Sequence, residues 1–313
     1  MKVTFWARLS FAAAEVEAEL SRVPMAQVTV VRSLEELLPK LDGTRFLVLP
    51  DAPAEAAREV VARLAAGGER SFAMHFNSAG KEGFDAAGIP GWVRVSQAHG
   101  ALAPTIAEHV MGMVIALNRQ LPRALEMQRQ GRWSAPDANI LASVAGSRVL
   151  LVGLGNIGQA VARLASAFGA EVVAATRTPR PNSKVAQVQP LDRLASLLPL
   201  ADIVVCCLAL TSDTRHVIGG AELAAMKPSA LLVNVGRGGL VDSEALADAL
   251  FSGRLRGAAL DVADPEPLPE GHRLWTAPNL IVTAHYSGAG PEGARRIGGM
   301  ARQRLEELLA GND

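Results

Sequence analysis

Four short pieces of this chain carry side chains and backbone that could do chemistry: Gly153-Leu154-Gly155-Asn156-Ile157-Gly158, Arg237, Glu266 and His285. The glycine turn follows an apolar run at 149–152 and opens a helix-like stretch at Ile157. In that setting Gly153 permits a tight turn, Gly155 lets backbone approach a pyrophosphate, and Gly158 lets the helix pack close to a sheet. A helix N-terminus offers free N–H groups and a partial positive charge, which suit phosphates. Arg237 stands in Asn234-Val-Gly-Arg-Gly-Gly239. A guanidinium can grip a carboxylate through two parallel hydrogen bonds, and the flanking glycines bring the backbone near a ligand. His285 stands in Thr283-Ala-His-Tyr-Ser-Gly288 and Glu266 in Leu260-Asp-Val-Ala-Asp-Pro-Glu-Pro267. Imidazole exchanges a proton near neutral pH, and a carboxylate bonded to it orients the ring.

These groups need a scaffold that brings distant positions to one edge. The first hundred residues alternate strand-like pieces (2–7, 27–31, 46–50, 72–76, 92–95) with helix-like ones (11–22, 34–41, 54–66), which predicts a parallel sheet covered on both faces. A long helix is expected over 104–129, starting at Pro104, with Ile106, Val110, Met113, Val114 and Leu117 at helical spacing. It reads as a packing helix, and His109 on it as a structural hydrogen-bonder. A second alternating unit starts at Arg148, with strands expected at 148–152, 171–175, 203–208, 231–235, 257–260 and 280–283. Six strands in this order match a dinucleotide-binding fold. The stretch 179–190 reads as a loop, and a final helix is expected over 291–309.

The end of the second strand in such a unit selects the cofactor. An acid there would bind the ribose 2′-hydroxyl of NAD. Thr176 occupies that place, followed by Arg177 and Thr178. A hydroxyl and a guanidinium attract a 2′-phosphate that a carboxylate would repel, so NADP(H) is favoured over NAD(H).

The bulk properties narrow the partners. At 313 residues, with 49% hydrophobic, two domains are expected. Lys plus Arg and Asp plus Glu balance at 31 each, so no net field favours nucleic acid or an anionic membrane. No secretory signal is read at the N-terminus, and no apolar run is long enough to cross a bilayer. Cys206 and Cys207 are adjacent, which disfavours a disulfide between them, and they are read as reduced thiols of a cytoplasmic protein. Metal-ligand spacing is absent, and no metal is expected.

Taken in order and spacing, these motifs resemble the D-isomer-specific 2-hydroxyacid dehydrogenase family, which includes glyoxylate/hydroxypyruvate reductases. The resemblance rests on Gly153–Gly158, on Met226-Lys-Pro-Ser-Ala-Leu-Leu-Val-Asn-Val-Gly-Arg-Gly-Gly239, and on Ala259-Leu-Asp-Val262 with Glu266-Pro267 and His285. The intervals are 29 residues from 237 to 266 and 19 from 266 to 285. It implies an α/β protein of two doubly wound parallel-sheet domains. A Rossmann cofactor domain (100–285) would be inserted in a flavodoxin-like catalytic domain (1–99 and 286–313). It implies Arg237 as substrate anchor, Glu266 as partner and His285 as acid/base. Cofactor contacts would come from Gly153, Gly155, Asn156, Ile157, Gly158, Thr176, Arg177, Thr178, Leu208, Val235, Gly236, Asp261 and Gly288. Ala79 and Gly80, in a loop resembling the family's substrate loop, would offer backbone amides to the substrate carboxylate. The implied activity is NADPH-dependent reduction of a small 2-oxo acid, glyoxylate or hydroxypyruvate favoured, by a homodimer. Two alternatives share the fold: a dehydrogenase of another small anion such as phosphite, with Lys81 as an extra contact, and a non-catalytic NAD(P)-sensing protein.

Overall fold

The computed structural model describes residues 1–68, 70–78 and 80–311. The chain divides into two compact units, Met1–Leu102 with Ala289–Asp313, and Ala103–Gly288.

The first unit holds five parallel strands, β1 (Lys2–Trp6), β2 (Gln27–Val31), β3 (Phe46–Leu49), β4 (Ala73–Phe76) and β5 (Arg94–Gln97), in the order β2-β1-β3-β4-β5. This is the flavodoxin-like order, with its reversal between β1 and β3. The central strands Phe-Leu-Val-Leu and Ala-Met-His-Phe are buried at every position. That pattern belongs to a sheet covered on both faces.

One of those buried residues is titratable. His75 on β4 is 2% exposed, and its Nδ1 lies 3.0 Å from Ser96 Oγ. Burial, reinforced by the Arg304 cation, lowers its pKa from 6.5 to about 4. The unfolded chain therefore takes up a proton that the folded chain refuses. Stability from neutral His75 is complete above pH 6.5 and is lost as pH falls toward 4. The loss reaches about 3 kcal/mol at the low end. Urea midpoints at pH 7 and pH ~4.5 should therefore differ more for the parent than for His75→Leu. Equal shifts in the two proteins would exclude this account.

The second unit holds seven parallel strands: β6 (Arg148–Val152), β7 (Glu171–Thr176), β8 (Gln187–Pro190), β9 (Ile203–Cys206), β10 (Leu231–Asn234), β11 (Gly257–Leu260) and β12 (Leu280–Val282). Their order is β12-β11-β10-β9-β6-β7-β8. The chain builds outward from β6 through β7 and β8, then returns to the other side of β6 with β9. That reversal opens a crevice outside the carboxyl ends of β6 and β9. Val152, Cys206, Leu232 and Leu260 join one buried apolar cluster under this edge. Each such aliphatic side chain contributes about 1.5–3 kcal/mol of burial, so the edge rests on a stiff floor.

Two expectations need correction. The stretch 179–190 is not all loop, because Gln187–Pro190 forms strand β8 on β7, with Val173 opposite Gln187. An edge strand has one neighbour and needs no apolar run, so its Gln-Val-Gln-Pro carries little strand signal. The helix expected over 104–129 is two helices, Ala103–Asn118 and Leu121–Arg129, with Gln120 at φ 54° between them. Pro122 explains the break. Its ring would clash with the carbonyl of Asn118 four residues earlier, and it has no N–H to donate. The first helix buries Ile106, Val110, Met113, Val114 and Leu117, whereas the second buries none of its residues.

Candidate active site

All seven strands of the second unit run parallel, so their carboxyl ends share one edge. Gly153 follows β6, Thr176 ends β7, Cys207 and Leu208 follow β9, Val235 to Arg237 follow β10, Asp261 follows β11, and Thr283 to His285 follow β12. Leu260 is aligned with Asn234 on one side and Val282 on the other. Strand neighbours lie about 4.8 Å apart, which sets the ends of β10 and β12 about 10 Å apart. Residues separated by up to 132 positions in sequence, Gly153 and His285, thus line one edge.

The glycine turn fits a dinucleotide. Gly153 has φ 111°, and a Cβ there would lie 2.9 Å from the backbone carbonyl of Cys207. No side chain is tolerated in that conformation at that distance. A Cβ on Gly158 would lie 2.4 Å from the Gly153 carbonyl oxygen, so the helix packs directly on the turn. A Cβ on Gly155, by contrast, would meet nothing within 4 Å. The outer side of the turn is open where phosphates would approach. The helix Asn156–Ala167 begins there with no side-chain cap, which leaves its first N–H groups, including those of Asn156 and Ile157, to a ligand. Cys207 donates its thiol to the Gly153 carbonyl at 3.1 Å, and burial pushes that thiol up to about 12. It is a packing group under the turn and not a nucleophile.

Thr176 at the end of β7 is half-buried, and Arg177, Thr178 and Arg180 are exposed. Among the described residues neither Arg177 nor Arg180 has a hydrogen-bond or ion-pair partner. Leu208 is half-buried and Val235 buried. A Cβ on Gly236 would lie 2.9 Å from the Leu208 carbonyl oxygen, so the loops after β9 and β10 meet there.

Asn234, 1% exposed, shapes the turn that carries Arg237. Its side-chain oxygen accepts from the Gly236 amide at 3.1 Å, and its side-chain nitrogen donates to the Arg237 carbonyl at 3.0 Å. Arg237 Nη1 donates to the Gly236 carbonyl at 2.9 Å. A Cβ on Gly238 would lie 1.8 Å from the Ala263 carbonyl oxygen, so this turn lies against the segment leading to Glu266. Arg215 holds that segment from outside, donating to the Asp264 carboxylate at 2.8 Å.

Glu266 Oε1 and His285 Nδ1 are 2.7 Å apart, with side chains 44% and 50% exposed. At that exposure the pair adds at most about 1 kcal/mol to stability, so its consequence is orientation. A carboxylate on Nδ1 fixes the proton there and leaves Nε2 to take or give the other one. His285 has φ 54°, an uncommon backbone state for a non-glycine residue. Its amide donates to the Asp261 carbonyl at 2.8 Å. The Asp261 carboxylate, 2% exposed, accepts from the amides of Tyr286 and Ser287 at 3.1–3.2 Å and from Thr283 Oγ1 at 2.6 Å. Thr283 Oγ1 in turn lies 3.1 Å from His109 Nε2, and the His109 ring stands edge-on to Tyr286. Gly288 is half-buried at the end of this segment.

In the first unit, Ser78 Oγ accepts from the Asp51 amide at 2.8 Å and donates to the Gly80 carbonyl at 2.6 Å. Ala79 lies outside the described residues. Lys81 is paired with Asp85 one helical turn on. Among the described residues no group of three or more His, Cys, Asp and Glu could hold a metal, and no helix is long and apolar enough to cross a membrane.

Residues 111–287, more than half of the chain, match the family described as D-isomer specific 2-hydroxyacid dehydrogenase, NAD binding domain. The chain belongs to that family. D-3-phosphoglycerate dehydrogenase of Methanocaldococcus jannaschii is 30% identical over 93% of this chain, which spans 55% of that protein's length. Glyoxylate reductase of Thermofilum pendens is 34% identical, covering 73% of this chain and 70% of its own. The crystal structure of a D-isomer specific 2-hydroxyacid dehydrogenase family protein from Aeromonas salmonicida superposes with TM-score 0.85 at 26% identity, covering 100% of this chain and 96% of that one.

Four residues of this dehydrogenase-family edge are given no role by the motif reading: Asn234, Thr283, Asp264 and Arg215. Asn234 had a detectable signal, an amide at the end of an otherwise apolar strand. The roles of the other three depend on neighbours distant in sequence, which no local pattern reports.

Proposed function

We propose that this chain is an NADPH-dependent reductase of a small 2-oxo acid, glyoxylate or hydroxypyruvate, giving the D-2-hydroxy acid. The observation that carries the reading is the 2.7 Å Glu266–His285 pair on the same strand edge as Arg237 and the glycine turn. A nicotinamide dinucleotide held at the 153–158 turn would supply the hydride in this reading. His285, charged and held through Nδ1 by Glu266, gives its Nε2 proton to the carbonyl oxygen. The neutral ring takes that proton back in the reverse direction. Arg237 holds the substrate carboxylate and so fixes the carbonyl in place. Gly80 and Ala79 are assigned a part in carboxylate binding on the family resemblance. The name of the Thermofilum pendens relative supports a 2-oxo acid of this size. A reductase assay over a panel of 2-oxo acids with NADPH and NADH tests the proposal. Absence of turnover on every member of the panel would reject it.

The preference for NADPH is inferred from Thr176 and the exposed Arg177 where an acidic residue would select NAD. Arg177→Ala should lower kcat/KM for NADPH by about 10- to 100-fold and change that for NADH by less than about 3-fold, since only the 2′-phosphate is lost to it. A parent protein that prefers NADH overturns the assignment.

We also infer a homodimer. Residues 119–143 are almost wholly exposed in the single chain, including Leu121, Leu125, Trp133 and Ile140. A nine-residue helix with no buried side chain is too short to be stable alone in water, so a covering partner is needed. Light scattering should give twice the chain mass for the parent and the chain mass for Leu125→Asp combined with Trp133→Asp. A monomeric parent excludes the dimer.

A further inference from the structure

We propose that His109 and Thr283 are positioning residues for His285, acting through the Asp261 carboxylate; this rests on His285 being the acid/base of the reaction. The chain of contacts has one direction. Thr283 has a single hydroxyl proton, and it is given to Asp261 Oδ1 at 2.6 Å. His109 Nε2, 3.1 Å from that hydroxyl, must therefore carry the proton and donate. His109 Nε2 is also 3.9 Å from Asp261 Oδ1, within reach of its charge. The helix Ala103–Asn118 thus reaches the strand edge through one imidazole N–H.

The segment that needs holding is visible in its backbone. His285 sits at φ 54°, an unfavourable state for a non-glycine residue. Asp261 offsets this from both ends, accepting the His285 amide on its carbonyl and the Tyr286 and Ser287 amides on its carboxylate. A buried carboxylate accepting these amides directs them only while its own oxygens stay fixed. Thr283 and His109 fix Oδ1. The edge-on contact of the His109 and Tyr286 rings, centroids 5.6 Å apart, closes the same loop from the side. Glu266 then sets the tilt of the imidazole, while the His109–Thr283–Asp261 chain sets where its Cα stands. Small errors in that placement are costly in a reaction that needs near-contact geometry.

Two measurements separate this role from general packing. Amide hydrogen exchange needs neither substrate nor cofactor. Exchange at Tyr286 and Ser287 should quicken by about 10-fold or more in Thr283→Val and His109→Ala, while Thr283→Ser and His109→Gln, which keep the donors, should stay near the parent. In steady state, Thr283→Val should lower kcat by about 10- to 100-fold with KM for the cofactor within about 2-fold, again rescued by Thr283→Ser. Parent-like exchange and turnover in Thr283→Val, in a protein whose His285→Ala variant is inactive, would overturn the proposal. Equal impairment of His109→Gln and His109→Ala would overturn the part assigned to the His109 N–H. A parent inert toward all 2-oxo acids, with the exchange results as expected, would reject the reaction assignment and leave the holding of the 285–287 segment standing.

Discussion

Replacing His285 by alanine is expected to lower kcat for 2-oxo acid reduction by about 10³-fold, roughly 4 kcal/mol of barrier, with cofactor affinity kept within about 2-fold. The split follows from where the ring stands. It follows β12 at the outer end of one wing of the sheet, whereas the glycine turn follows β6, four strands away in the sheet order. In the proposed mechanism, loss of the ring would remove the proton at the reacting oxygen and leave the dinucleotide cradle untouched. Glu266→Gln should cost less, about 10-fold, because the amide oxygen can still accept from Nδ1 while the negative charge that supports the imidazolium is gone. Glu266→Ala should fall between the two. Stopped-flow or steady-state measurement of NADPH oxidation, with fluorescence titration of the cofactor, gives both quantities. Unchanged turnover in His285→Ala would remove the imidazole from the chemistry.

Arg237→Ala is expected to lower kcat/KM by about 10²- to 10³-fold, most of it as a raised KM for the oxo acid. A carboxylate that loses a paired, charge-assisted partner loses about 3–4 kcal/mol. Arg237→Lys should recover only part of this, since an ammonium keeps the charge and lacks the planar fork. The turn itself should survive either change. Asn234 binds it through the Gly236 amide and the Arg237 carbonyl, both backbone groups. The parent KM retained in Arg237→Ala would sink the carboxylate grip, and a matching loss of cofactor affinity would show that the turn had moved.

The candidate site was legible in the sequence because the residue types it needs are hard to exchange. The turn after β6 needs Gly153, whose φ of 111° and 2.9 Å approach to Cys207 exclude any side chain. The Arg-Gly-Gly turn, the Glu-Pro pair and the histidine after the last strand likewise stand at fixed places in a βα order that periodicity alone reveals. The strands of the second sheet were readable for the same reason: a strand buried on both faces must be an apolar run. β8 was missed because an edge strand is released from that demand. The break at Gln120 was missed because helical spacing of apolar residues says nothing of a proline clash one turn later.

The sequence by itself determined which residue types stand after each strand and the alternating order of elements that carries them. Only the tertiary structure decided their partners: that Glu266 meets His285 on Nδ1, that Asp261 is spent on the backbone after His285, and that His109, 174 residues from Thr283, supplies the N–H that holds it. Local pattern is set by each residue's own burial and backbone preference. A hydrogen-bond partner is set by sheet order and register, which bring together residues that share no sequence neighbourhood.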